Sequence, residues 1–592
     1  MTEAAPSDLG AFAEAAGVRL RFWSDRASTL SAVFYDTELR RVGELELQRT
    51  ADDPAIFTGF APGLPPSTRY QLVLNDGEAV TPFARALPHG VLGPAAVTEP
   101  LIARVHPKRR IDLLAGEVFY ELHIGTFTPE GTFASAKRHL PDLRALGVTV
   151  LELMPIAAFA GERGWGYDGV GLFAPFTHYG TPEQLSDFVD AAHALGFALV
   201  LDVVYNHLGP TGNFLAVFSD HYFDGERRNP WGKAPALEKA PFRSFILRNA
   251  RYWLEDFGFD GLRLDAVHEL EPGGDPHILD ELARLARSLD PPAVLIAEDD
   301  RNDPEALCAF GIDGVWSDDF HHALHTLLTH ERDGYYRAYG STVAELARVI
   351  ERGQLYEGQT FPLTGKPRGK PAGAVARPRL LYALQNHDQI GNRAHGDRIH
   401  ASAGEDAYVA ASLLLLFLPS TPLLFMGQEW ASSSPFLYFC DHEQAIGAAA
   451  AHGRREEFGH FEAFRAGEVQ PVPDPQNPES FLRSKLDWTE RREPGHARVL
   501  HFYERALGLR KTDPVLSGET TLHAKHIADL LWVTRSNREG TRCLFWNTGD
   551  SPLTLESFAG SLGSASLLLT SRPELENWQA SLPGRTAILL AC

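Results

Sequence analysis

The chain has 592 residues, 44% of them hydrophobic and 22% charged, with 55 basic against 77 acidic side chains and a net charge of −22 at pH 7. That length predicts roughly two to four domains with large cores, and the composition excludes a chiefly disordered or collagen-like chain. The acidic balance repels polyphosphate and supplies no basic stripe, which argues against nucleic acid and for a neutral or cationic partner.

The opening MTEAAPSDLGAF carries acidic residues where a signal peptide needs a basic and then an apolar segment, so a cytoplasmic protein is expected. Up to Pro100 the runs VRLRFW, SAVFYD and RYQLVL, separated by Pro, Gly, Asn and Asp turns, predict an accessory β-sandwich over residues 1–100, in the manner of a carbohydrate-binding module. From Gly116 apolar strands alternate with amphipathic helices, the rhythm of parallel strands with helical crossovers. Strands are predicted at 118–125, 148–155, 197–207, 261–267, 294–299, 314–320, 380–388 and 422–429. Eight strands suffice to close a (β/α)8 TIM barrel, assigned to residues 101–512. An open doubly wound sheet is the alternative, but neither a dinucleotide-binding nor a P-loop glycine motif follows a strand.

Within this region Thr181, Pro182 and Gln184 spell a capped helix start, Leu185, Phe188, Val189, Ala192 and Leu195 its buried face, and Gly196 its end. The uncharged stretch Ala407–Met426 is cut by Pro419 and Pro422, and reads as a buried helix followed by a buried strand, not a membrane span. Segments 365–378 and 469–480 are rich in Pro and Gly and read as functional loops, the second as part of a wall around the leaving group. After a helix at 496–511, short β runs predict a C-terminal β-domain over 513–592. Cys308, Cys440, Cys543 and Cys592 form no C-x-x-C pair, so neither a disulfide framework nor a thiolate zinc site is expected.

Polar residues gather where the barrel strands end: Asn206 and His207, Asp265 and His268, Glu298, Asp318 and Asp319, His387 and Asp388, Gln428 and Glu429. A barrel brings strand C-termini to one rim, so Asp202, Asp265, Glu298 and Asp388 should converge there. A retaining glycosidase uses such a set, one carboxylate as nucleophile and one protonated carboxyl about 5 to 5.5 Å away as acid. Arg263 stands two residues before Asp265, hence on the same strand face, and should hold it ionised. No basic residue is similarly placed beside Glu298, which follows the apolar Leu295-Ile296-Ala297 and precedes Asp299 and Asp300, so its carboxyl is expected to be raised.

The blocks DVVYNH (202–207), GLRLDAVH (261–268), AED (297–299) and NHD (386–388), in that order on successive strands, resemble the four sequence blocks of the α-amylase family of glycoside hydrolases. The resemblance implies Asp265 as nucleophile, Glu298 as general acid/base and Asp388 as the carboxylate that stabilises the transition state. It implies that Arg263, His207 and His387 line the same subsite and that Tyr167 stacks on a sugar, and Trp165, Asp202, His268, Asp318, Asp319, His321, Gln389 and Asn392 are the further residues expected around the substrate. The segments MPIAAFAGERGWGYDGV, SDDFHH, NHDQIGNR, LLFMGQEW, CDHE and SKLDW resemble the family branch that releases trehalose from the end of malto-oligosyltrehalose. That branch implies a malto-oligosyltrehalose or related α-glucan as substrate, and a pathway link to the synthase that makes it. Cys440 and the GER insert at 161–163 depart from the branch's usual pattern.

Plainer readings stand beside these. Asp202 suits a structural role as well as a sugar contact, and Trp231, Trp316 and Trp430 suit core packing. His321, His322 and His325 sit at metal-compatible helical spacing, but a rim position for one or two of them is the preferred reading, and neither metal nor cofactor is expected. Pro304 stands where a calcium loop running from Asp299 demands glycine. The alternatives to a trehalose-releasing hydrolase are a branching-type transglycosylase, which passes the same glycosyl-enzyme to a glucan hydroxyl, and a catalytically silent glucan-binding protein.

Overall fold

The structure, a computed structural model, describes residues 9–592 apart from 76, 100–104, 230–231, 374, 460–470, 556–564, 574, 576–577 and 580. Its centre is a closed barrel of eight parallel strands: Phe119–Leu122, Val150–Leu153, Ala198–Val203, Gly261–Leu264, Val294–Glu298, Gly314–Trp316, Leu380–Ala383 and Thr421–Phe425. All eight expected strands are present, each shorter than its apolar run because the polar residues at the C-terminal ends leave the ladder and turn onto the rim. The sixth shows this best: Trp316 ends the strand and Asp318 already begins a helix, Asp318–Thr329.

Side-chain alternation sorts the barrel interior into layers. Phe119, Val150, Val200 and Ile296 belong to one buried interior cluster. Two residues further along the same strands stand Glu121, Glu152, Asp202 and Glu298, so the layer above the apolar one is built of carboxylates. The barrel thus delivers charge to its C-terminal mouth by a shift of one pleat.

Helix Pro182–Ala194 begins as expected, with Thr181 and Gln184 completing a reciprocal capping box. Leu185, Phe188, Val189 and Ala192 are buried, whereas Leu195, expected on that face, caps the helix and is 36% exposed. The stretch from Ala407 is a buried helix, Glu405–Phe417, and then a barrel strand. No helix among the described residues is long and apolar enough to cross a membrane.

Two antiparallel sheets precede the barrel, one ordered Gly10–Glu14, Gly17–Trp23, Ile56–Pro62 and Gln48–Arg49, the other built on Leu30–Tyr35 and Arg69–Leu74. They lean on the loop that follows the third barrel strand: Ser24 Oγ donates to the Phe218 carbonyl at 2.7 Å, and Arg26 pairs with Asp220 at 2.8 Å. A five-stranded sheet follows the barrel, running Thr521–Ile527, Leu530–Asn537, Gly540–Asn547, Thr586–Ala591 and Ser566–Thr570. There Cys543 and Cys592, 49 residues apart in sequence, are brought side by side.

Candidate active site

Arg263 organises the mouth of the barrel. It is fully buried, and its Nη1 lies 2.9 Å from Asp202 Oδ2 and 2.9 Å from Asp265 Oδ1, while Nη2 lies 2.8 Å from Glu298 Oε2. Burial disfavours its charge, but Asp202 and Glu298 outweigh that and raise Arg263 well above the ordinary guanidinium range. The ring of Trp316 lies 4.2 Å from the guanidinium carbon and closes its remaining face. One cation thereby ties together the ends of the third, fourth and fifth strands.

This arrangement meets one expectation and corrects another. Arg263 does pair with Asp265, as the strand period requires. It also reaches Glu298, so the expectation that no basic residue stands beside Glu298 is wrong: the neighbour comes from the adjacent strand, out of sight of local sequence. Asp299, expected to crowd Glu298, is instead turned to Arg301 in a bidentate pair at 2.8 to 3.2 Å. Glu298 Oε2 also accepts the Ala266 backbone N–H at 2.9 Å, at a residue whose φ of 41° turns the chain sharply after Asp265.

Asp265 is held on both oxygens. Asn206 Nδ2 donates to Oδ2 at 2.6 Å and to the Asp265 carbonyl at 2.9 Å, fixing the carboxylate plane. Asn206 in turn contacts His207 Nδ1, and His207 Nε2 faces the Tyr167 carbonyl at 2.8 Å. His207 is buried with both ring nitrogens engaged, so it braces Asn206 and Tyr167 from behind. Tyr167 donates its hydroxyl to Asp202 Oδ2 at 2.6 Å and stacks on His387 with ring centroids 5.1 Å apart. Burial lifts the Asp202 carboxyl to about 7, against the pull of Arg263. Its contacts are to Arg263 and Tyr167, the structural alternative weighed for it.

On the seventh strand side, His387 is buried and Asp388 is partly exposed, with Nε2 of the first 3.4 Å from Oδ2 of the second. Asn392, exposed, donates to Asp388 Oδ1 at 3.2 Å, and Gln389 donates to Asp318 Oδ1 at 3.0 Å. Burial, then the charges of Glu298 and Asp388, raise Asp318 to about 7. His268 flanks Asp299 and Asp300, its Nδ1 3.6 Å from Asp300. These three form the one metal-compatible grouping among the described residues, and Arg301 already occupies Asp299.

Besides His207 and Asp202, three further residues expected at the substrate are turned to other partners. Trp165 stacks on Phe436 at 5.3 Å and donates its indole N–H to the Leu437 carbonyl at 3.0 Å, so it supports the site from within the core. Asp319 is fully buried and accepts from Asn302, Tyr339 and the backbone N–H groups of Leu355 and Tyr356, which ties loops together and leaves nothing for a sugar. His321 is buried among His322, His325 and Tyr336, and burial holds its ring well below the usual imidazole range. Trp231 and residues 460–470 lie outside the described residues.

Residues missing from the expected set are Asn206, signalled by its place at a strand end and in the DVVYNH block, and the buried Glu121 and Glu152. The two departures from the branch pattern meet in space: Arg163 of the GER insert lies 3.1 Å from Asp441, and Cys440 and the His442 N–H both contact Gln476 Oε1.

Known proteins resemble this chain along most of its length. The family described as alpha amylase, catalytic domain, matches residues 88–230. The chain is 44% identical over 543 residues to the malto-oligosyltrehalose trehalohydrolase of Deinococcus radiodurans, covering 90% of this chain and 88% of that one. It is 46% identical over 416 residues to the enzyme of the same name from Arthrobacter ramosus, covering 68% and 71%. Among solved structures, a Salmonella typhimurium protein named as a candidate alpha amylase superposes with a TM-score of 0.87 at 35% identity, over 99% of this chain and all of that one.

Proposed function

The chain belongs to the malto-oligosyltrehalose trehalohydrolase family, and from that footing we infer that it is a retaining glycoside hydrolase. It cleaves the α-1,4-glucosidic bond next to the terminal trehalose of malto-oligosyltrehalose and releases trehalose and a shortened malto-oligosaccharide. The observation that carries the chemistry is the shared guanidinium: Asp265 and Glu298 are both within 2.9 Å of Arg263 at one barrel mouth, with Asp388 and His387 beside them.

The roles follow from how each carboxylate is held. Asp265, pinned in its plane by Arg263 and Asn206, is the nucleophile that attacks the anomeric carbon. The described contacts of Glu298 fall on Oε2, which leaves Oε1 to carry the proton delivered to the departing trehalosyl oxygen. The same oxygen then takes a proton from the water that hydrolyses the glycosyl-enzyme. Asp388, partly exposed beside both, hydrogen-bonds the reacting sugar as its ring flattens. Tyr167 offers its ring at the same place, and Asp318 with Gln389 borders the leaving-group side of Glu298. The substrate must come from an enzyme that converts the reducing end of a malto-oligosaccharide into an α-1,1 linkage. We place both steps in the cytoplasm on the chemistry of that shared intermediate.

The test is product chromatography after separate incubation with maltotriosyltrehalose and with maltopentaose, which have equal sugar counts. Rapid release of free trehalose with maltopentaose barely touched is expected. Cleavage of neither, with new branches in long amylose, replaces this reading by the transglycosylase.

A further inference from the structure

His387 is gripped from below by a residue that the sequence blocks do not contain. Glu121, on the first barrel strand, accepts from His387 Nδ1 and from the His387 backbone N–H at 3.1 Å, and both side chains are 1% exposed. At the opposite end of the ring, Nε2 stands 3.4 Å from Asp388 Oδ2. The imidazole therefore has a carboxylate at each end. With one proton fixed toward Glu121, a neutral ring would present a bare lone pair to Asp388, and that contact is repulsive.

We propose that Glu121 is a positioning residue of the reaction: from the floor of the barrel it holds the His387 ring so that Nε2–H, not a lone pair, faces Asp388 and the reacting sugar. The proposal rests on the reading of this mouth as the site of glycosidic cleavage and adds to it a part that acts only through His387.

Charged and titratable groups reach the surroundings of His387 from several packed elements. The first strand presents Glu121 and His123, the second Glu152, the third Asp202, the fourth Arg263, and the seventh Asp388, while Tyr167 and Trp316 supply ring contacts. Glu152 is paired in register with Glu121, and neither of its carboxyl oxygens has a hydrogen-bond partner. Burial, then the neighbouring Glu121, push Glu152 well above the ordinary carboxyl range. Burial also opposes the charge on His387, and Arg263 repels it, but Asp388 and Glu121 outweigh both and lift the ring to about 9. The ring is therefore protonated below about pH 9 and loses its second proton above it.

The experiment is the pH profile of kcat/KM, which reports the free enzyme, for the wild-type chain, Glu121→Gln and His387→Gln. Cleavage is counted as new reducing ends on maltotriosyltrehalose and, in parallel, on maltopentaose. The limb is then readable even where trehalose preference fails. In the wild type the alkaline side is expected to carry, beyond the limb set by the general acid, a further limb near pH 9 where the His387 ring loses its proton. Glu121→Gln removes one of the two carboxylates that hold the proton, so its limb should move down by one pH unit or more, with a loss at pH 8.5 at least ten times that at pH 6. His387→Gln has no ring to titrate and should lack that limb. A Glu121→Gln loss that is equal at every pH marks a merely structural residue and overturns the proposal. So does a further limb near pH 9 that persists in His387→Gln, which keeps the test decisive should the Glu121 variant not fold.

Discussion

The two ends of the barrel each hold a buried charge cluster, and they are built on opposite principles. At the N-terminal end Asp260 accepts from the backbone N–H groups of Arg109 and Leu199 and from His193, each at 2.8 Å, and Glu117 receives Arg109 in a bidentate pair at 2.7 and 2.9 Å. These oxygens meet backbone donors that cannot move away, which is how a buried charge is made safe. At the C-terminal end one guanidinium serves three carboxylates, Asp202 and Asp318 are both pushed up to about 7, and both Glu152 oxygens lack a partner. The same contrast recurs between neighbours in sequence, Asp319 with four donors and Asp318 with the Gln389 amide. Full satisfaction marks the carboxylates that hold the fold. Shared or missing partners mark the end at which the proposed chemistry takes place.

Substitution at the two ends should separate activity from stability. Asp265→Asn removes the proposed nucleophile with almost no change of shape, and turnover should fall on the order of 10⁴-fold or more while the unfolding midpoint stays near that of the wild type. Asp260→Ala leaves His193 and two backbone N–H groups without their acceptor, and breaking a buried pair of this kind costs about 3 to 5 kcal/mol. Its folded fraction should keep a wild-type kcat. Denaturant titration beside initial rates reads both, and an Asp260 variant that loses kcat in the folded state would erase the distinction between the two ends.

How much of this was readable beforehand depends on whether the signal was local. The eight strands and the residues at their ends were legible because a barrel writes its active site at a fixed place in a repeating pattern. Helix Pro182–Ala194 was legible down to its capping box because capping is set within four residues. Glu121 and Glu152 were not, since every residue of their strands is buried and no alternation separates inside from outside. Trp165 was misplaced because the ring that covers it, Phe436, lies far along the chain. Asp318 and Asp319 could not be told apart from sequence, because the donors that capture Asp319 come from Asn302, Tyr339 and the 355–356 backbone.

The frustrated end should also show itself in the pH dependence of stability. A carboxyl raised in the folded state binds a proton there that the unfolded chain has already released, so stability is full below about pH 4 and is lost as pH rises toward 7. For Asp318 that window runs from its ordinary value near 4 to about 7. Asp318→Asn cannot titrate, so its unfolding midpoint should drop less between pH 5 and pH 8 than that of the wild type. The slope should flatten only in part, because Asp202 and Glu429, also near 7, still titrate in the same window. An unchanged slope would mean that Asp318 is charged throughout and belongs with Asp319 among the satisfied carboxylates.

The smallest expected effect lies outside both clusters, at the meeting of the GER insert with the Cys440 loop. Arg163 is half-buried, lies 3.1 Å from Asp441, and donates to the Gln476 carbonyl at 2.7 Å. Gln476 belongs to the 469–480 segment read as a wall around the leaving group, so these contacts tie that wall to the loop carrying Tyr167. A partly screened ion pair and one hydrogen bond are together worth about 1 kcal/mol. Arg163→Ala should therefore lower stability by about that much and leave kcat on maltotriosyltrehalose unchanged. If the segment shapes the leaving-group side, KM for the trehalose-ended substrate should rise several-fold while KM for maltopentaose holds. A parallel rise for both substrates would make the tie a matter of stability alone and move the recognition of the α-1,1 end to the wall formed by Asp318 and Gln389.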